Sequence, residues 1–138
     1  ELTRPALFEA IRKRRCYATT GEPIQVDFRV NGHLMGSEIE AGDGPLIEAS
    51  VEGTATLIRV EVVKFDAGKY AGVYRAPLDG LRAKVWWKDP DFRGSAFYYL
   101  CVEQEAAPAI AARYAKLPEN PFPSEMAWTS PVWVNKNQ

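Results

Sequence analysis

The sequence predicts a mainly β protein: an antiparallel, immunoglobulin-like β-sandwich of about seven strands, with one N-terminal helix and a short helical insertion before the last strand. Three observations predict it. Apolar and polar residues alternate in several short runs after Gly21, and turn signals recur roughly every 8–12 residues between those runs. Sheets that are polar on one face must also bury the other against a second layer. The length of 138 residues suits one core, and 46% hydrophobic with 25% charged residues excludes disordered and collagen-like classes.

The helix comes first. Thr3 is placed to cap it, Pro5 fits its first turn, and Leu7, Phe8 and Ile11 recur at helical spacing before Arg12, Lys13, Arg14 and Arg15. Cations at that end complement the negative pole of the helix dipole. This structural reading is preferred over a phosphate or nucleic-acid patch, because no aromatics interleave with the cations.

After Gly21 the period changes. Ile24, Val26, Phe28 and Val30 share one face and Gln25, Asp27 and Arg29 the other, and Asn31-Gly32 then supplies a tight hairpin turn. Gly36, Gly42, Gly44 and Pro45 mark the next connection. Ile47, Ala49 and Val51 alternate with Glu48, Ser50 and Glu52, and Ile58, Val60 and Val62 alternate with Arg59, Glu61 and Val63. Further strands are expected at Gly72–Ala76, Ala83–Lys88, Ala96–Val102 and Pro131–Val134, separated by Asp79-Gly80, Asp89-Pro90 and Gly94. Between Glu103 and Met126 the rhythm breaks. Ala106–Lys116 is alanine-rich and reads as the inserted helix, followed by a loop with Pro118, Pro121 and Pro123.

Composition excludes several chemistries. Seventeen Lys plus Arg against eighteen Asp plus Glu leave a net charge of −1, so no bulk field favours nucleic acid or an anionic membrane. The longest apolar run, Ala96–Val102, is far shorter than the ~20 residues that span a bilayer, so no membrane span is expected. The single histidine, His33, rules out any metal site needing two histidines from this chain, and its place after the Asn31-Gly32 turn reads as a surface loop. Cys16 and Cys101 lack C-x-x-C spacing and read as two buried free thiols in preference to a disulfide. Gly36-Ser37 and Gly94-Ser95 lack the flanks of a nucleophile elbow, and Gly42-x-Gly44 is a turn. Glu48, Glu52 and Glu61 occupy outward strand positions where solvation explains them. No catalytic residue is assigned. Trp86 and Trp87 occupy adjacent strand positions and so face opposite ways, one to the core and one outward, where it would serve as part of an aromatic ligand platform. The stretch Tyr17, Ala18, Thr19, Thr20, Gly21 is a small-residue helix-to-sheet junction whose hydroxyls would satisfy backbone groups or face a partner surface, the first being preferred.

A resemblance sharpens this reading. Arg15-Cys16-Tyr17-Ala18-Thr19-Thr20-Gly21, followed by Val26-Asp27-Phe28-Arg29-Val30-Asn31-Gly32-His33-Leu34-Met35-Gly36, resembles the C-terminal region of a family of uncharacterised proteins related to PHP-type metallohydrolases, of which the carbaryl-hydrolase-like group is a better-known relative. Phe97-Tyr98-Tyr99-Leu100-Cys101-Val102 and Trp128-Thr129-Ser130-Pro131-Val132-Trp133-Val134 are similar to that family's last two strands, with Cys101 in place of its usual arginine-like residue. The resemblance implies residues 1–21 as a helix and junction leading from a preceding catalytic body, and residues 22–138 as a non-catalytic sandwich domain. The domain would pack on that body or shape its substrate entrance. Its divalent metal would lie on the body, with no cofactor in this chain. Tyr17, Thr19, Thr20, Gly21 and His33 are then the interdomain candidates. The chain opens at Glu1 without Met or a signal pattern, which reads as processed or cut from something larger, and no targeting signal assigns a compartment. The alternative is an independent glycan-binding module that uses Trp86 or Trp87.

Overall fold

Thr3 accepts the Ala6 N–H through Oγ1 at 3.3 Å and Pro5 stands in the first turn, so helix α1 runs Arg4–Arg12 and is capped at Lys13. This computed structural model describes residues 2–106, 108, 111–112, 115 and 124–137. None of the residues of α1 is buried.

Beyond the helix the described chain is almost entirely strand: β1 (Tyr17–Thr19), β2 (Gln25–Val30), β3 (His33–Leu34), β4 (Glu38–Ala41), β5 (Leu46–Glu52), β6 (Leu57–Asp66), β7 (Lys69–Arg75), β8 (Leu78–Asp79), β9 (Arg82–Lys88), β10 (Ala96–Glu105), β11 (Ser124–Thr129) and β12 (Val132–Lys136). All seven runs expected from alternation are strands. Five short or irregular ones add to them: β1, β3, β4, β8 and β11. The expected helix at Ala106–Lys116 and the proline loop at Pro118, Pro121 and Pro123 lie largely outside the described residues.

The strands form two sheets. Strand β10 is the hub of the seven-stranded one: β6 runs along one side of it, while β12 pairs with Ala96–Tyr98 and β11 with Cys101–Glu105 on the other. Strands β1, β4 and β7 extend this sheet from β11, β12 and β6. The five-stranded sheet has the order β3-β2-β5-β9-β8. Pairing is antiparallel except between β4 and β12, which run parallel. The immunoglobulin-like order expected above finds no support in this connectivity. Because β1 pairs with β11, the sandwich takes in Tyr17–Thr19 and so begins before residue 22.

Inward side chains of both sheets meet in one core. Phe28, Val30, Ile47 and Val85 come from the smaller sheet, and Val60, Val62, Leu100, Val102 and Val132 from the larger, all buried. Ile58 departs from the expected alternation and is 49% exposed. The β6–β10 register shifts between Glu103 and Gln104, so Leu57 rather than Ile58 takes the inward place, as a bulge requires. Asn31 and Gly32 have φ of 49° and 76°, the left-handed pair that a two-residue hairpin turn needs, and Val30 faces His33 across it.

Candidate functional site

The Tyr17–Gly21 junction is held by its own hydroxyls. Tyr17 donates its hydroxyl to the Ile24 carbonyl at 2.9 Å, tying the edge of one sheet to the start of the other. Thr19 Oγ1 accepts from the Gly21 N–H at 3.3 Å. Thr20 Oγ1 accepts from the Met126 N–H at 2.9 Å and donates to Glu125 Oε2 at 3.0 Å. His33 lies exposed in β3, apart from the junction, and is not brought to it.

The link between helix and sandwich is Arg14. It has φ 55°, donates from Nε to the Gly36 carbonyl at 3.2 Å and from Nη2 to Glu38 Oε1 at 2.9 Å, and lays its guanidinium 4.6 Å from the centre of the Trp133 ring. Gly36 has φ 87°, and any Cβ there would strike the backbone of Lys13 and Arg14. Only Arg12 of the four cations stands in the last helical turn; Lys13 pairs back to Glu9 at 2.8 Å, and Arg14 leaves the helix to grip the sheet. Leu7, Phe8 and Ile11 remain 52%, 68% and 67% exposed.

Trp133 also begins an aromatic cluster on the outer face of the seven-stranded sheet. Its ring lies 6.3 Å from Phe97, which stacks on Phe65 at 4.8 Å and 14°, and Tyr70 caps both at 4.6 and 5.9 Å. Tyr99, Trp128 and Pro131 line a shallow, open depression beside it. Further along the same face, Glu61 is 12% exposed between Arg59 at 2.9 Å and Arg75 at 2.8 Å, which corrects the expectation that solvent alone accounts for it. The hydrogen bond from Arg75 is the main reason its carboxyl lies below the ordinary range, outweighing burial, with Arg59 adding to the effect. Cys101 is buried beside these groups while Cys16 is exposed, so one thiol departs from the expected burial; both are free. Burial pushes the Cys101 thiol up, against the pull of Arg59.

The outer face of the five-stranded sheet is polar. Register sets three rows across β2, β5 and β9: Gln25, Glu52, Arg82; then Asp27, Ser50, Lys84; then Arg29, Glu48, Trp86. Trp86 is 72% exposed, whereas Trp87 points inward and stacks on Tyr74 at 5.4 Å, as strand geometry predicts. The two tryptophans therefore do not form one platform. A groove of about 590 Å³ on one side of the middle row and one of about 260 Å³ on the other share Asp27, Ser50 and Lys84, and Tyr17 lines the far side of the larger.

Sequence reasoning missed the aromatic cluster and the Arg14 anchor. A signal for the cluster exists: the outward phase of β10 carries Phe97 and Tyr99 where a solvated face would carry charge. Among the described residues no three His, Cys, Asp or Glu side chains converge to hold a metal, and no helix is long and apolar enough to cross a membrane.

No protein-family model matches the chain, and no solved structure gives a significant match. Similar proteins come from chlamydiae, each described only as an uncharacterized protein. The one from Chlamydia trachomatis is 32% identical over 149 residues, covering 98% of this chain and 21% of that protein. Those from Chlamydia pneumoniae and Chlamydia muridarum are 32% and 31% identical, with the same shares covered. The chain thus spans 21% of the length of the curated relatives it matches.

Proposed function

We propose that this chain is a non-catalytic β-sandwich domain that packs, through α1 and the aromatic cluster beside Trp133, against the rest of a longer polypeptide. The observation that carries the reading is the state of α1. A nine-residue helix is too short to persist in water on propensity alone, and such helices depend on burying an apolar face. Leu7, Phe8 and Ile11 form that face and are exposed, while Arg14 fixes the end of the helix to the sheet. Burying these three side chains would stabilise the assembly by roughly 3–6 kcal/mol, allowing for their present partial burial. The reading is supported by the relatives' much greater length, of which the chain spans 21%.

The identity of that polypeptide rests on the resemblance alone: a PHP-like metal-dependent hydrolase, with the divalent ion on the larger body and the sandwich against its substrate entrance. Two measurements test the proposal. Leu7→Ser/Phe8→Ser/Ile11→Ser in the parent polypeptide should split one calorimetric unfolding transition into two, and unchanged coupling would defeat the docking reading. Manganese-dependent hydrolysis of bis(p-nitrophenyl) phosphate should be found in the parent and not in the 138-residue chain. Turnover by the chain alone would defeat the non-catalytic assignment.

A further inference from the structure

The two outer faces of the sandwich differ in how their aromatic rings are used. On the seven-stranded sheet Phe65 and Phe97 stack on each other and Trp133 lies under the Arg14 guanidinium, so each of these three rings has one face engaged within the protein. On the five-stranded sheet Trp86 has no aromatic or cation–π neighbour among the described residues and is 72% exposed. It is the one large apolar side chain in the three polar rows around it.

We propose that this second face binds a neutral oligosaccharide, with Trp86 as the stacking ring and Asp27, Ser50, Lys84 and Glu48 as hydroxyl partners. Charge selects the class. The rows hold Asp27, Glu48 and Glu52 against Arg29, Lys84 and Arg82, three of each sign. Arg29 already makes a two-point contact with Asp27 at 3.0 and 3.3 Å, and Arg82 meets Glu52 at 3.0 Å. A face with no net charge offers nothing to a polyanion or a cation in particular. It does offer many fixed donors and acceptors beside one apolar ring. A ligand that needs both has hydroxyls at its rim and C–H groups on its flat side, which is a sugar.

Shape selects a chain over a single ring. The grooves lie on either side of the Asp27–Ser50–Lys84 row and share it. Rows two residues apart along a strand are separated by about 6.8 Å, so the three rows extend over about 14 Å. Lys84, which has no ion pair among the described residues, stands at the middle of that length with Ser50 as its cross-strand neighbour. Both are exposed, and both are free of any part in the core.

The proposal is independent of helix docking and is tested separately. Cellohexaose, chitohexaose, laminarihexaose and mannohexaose would each be titrated into the chain, followed by tryptophan fluorescence and amide chemical shifts. At least one should saturate, with shifts centred on the strands carrying Ser50 and Lys84. Trp86→Ala should weaken it about tenfold or more, and Lys84→Ala should weaken it less. Trp86 and Lys84 are both exposed, so neither substitution disturbs folding. Absence of saturable binding by all four sugars, or binding unchanged in Trp86→Ala, would overturn the proposal. A Leu7→Ser/Phe8→Ser/Ile11→Ser chain should bind sugar as before, which keeps the two tests apart.

Discussion

Lys64 Nζ lies 2.7 Å from Asp89 Oδ2, with the two side chains only 7% and 2% exposed. The pair is fully supplied with partners. The same Asp89 oxygen accepts the Tyr98 hydroxyl at 2.7 Å, its other oxygen accepts the Asp91 N–H at 2.9 Å, and Lys64 also donates to the Asp91 carbonyl at 3.0 Å. One buried cluster thereby joins β6, β10 and the loop after β9, and Gly44 is packed against the Asp89 carbonyl where no Cβ would fit.

Breaking one side of this pair should be far worse than removing both. Lys64→Met leaves a buried carboxylate with neutral donors only, and is expected to cost about 3–5 kcal/mol in urea unfolding. The double variant Lys64→Met/Asp89→Leu should recover a large part of that loss. Equal losses in single and double variants would show that packing rather than charge sets the effect.

The same cluster fixes how stability depends on pH. Burial pushes the Asp89 carboxyl up, but Lys64, Tyr98 and the Asp91 N–H together hold it below its ordinary value. A carboxyl depressed in the folded state adds stability that is present above its unfolded value of about 3.9 and is lost as pH falls through the folded value. Urea midpoints should therefore decline from about pH 4 downwards. Asp89→Asn should lower the neutral-pH midpoint and flatten that acid limb, while Glu61, also depressed, keeps part of it.

Gly36 is where the helix meets the sheet, and it tests how α1 is held. Gly36→Ala forces a Cβ against the backbone of Lys13 and Arg14 at φ 87°, and should destabilise the chain by about 1–3 kcal/mol. Arg14→Ala removes the contacts to Gly36, Glu38 and Trp133 but leaves the sheet intact. Hydrogen exchange should then speed up in α1 and stay slow in β10. Slowed or unchanged exchange in α1 would show that Arg14 does not anchor it.

The contrast between what alternation revealed and what it hid has a physical cause. β2, β5 and β9 bury one face and solvate the other, so their sequence alternates and the strands were legible, as was the opposite facing of Trp86 and Trp87, though not which of the two is outward. The central strand β10 carries Phe97 and Tyr99 in its outward phase, but its cover on both faces over Cys101 and Val102 makes Ala96–Val102 one continuous apolar run, and that run masked the alternation. β1 has three residues, and β4, although Glu38–Ala41 alternates, has only four and pairs with a strand from the far end of the chain, so both are too short to stand out from the connections around them. Lys64 and Asp89 were unreadable for a related reason. Asp89-Pro90 has the composition of a turn, and only the tertiary fold turns its carboxylate inward.

Thr20 and Glu125 carry the last prediction. Glu125 is fully buried; its Oε2 accepts the Thr20 hydroxyl at 3.0 Å, and its Oε1 has no partner among the described residues. Thr20→Val removes that donor and also the acceptor of the Met126 N–H, leaving the buried Glu125 carboxyl and the half-buried Met126 N–H unsatisfied. The expected cost is about 1–3 kcal/mol for each group left unpaired. Glu125→Leu removes the carboxylate itself, fills similar space, and leaves Thr20 still accepting from Met126, so it should cost much less. In the double variant only the Met126 N–H is orphaned, and its stability should lie above that of Thr20→Val. The reverse ranking, with Glu125→Leu the more damaging, would mean that the free oxygen of Glu125 has a partner whose loss outweighs the relief of the buried charge.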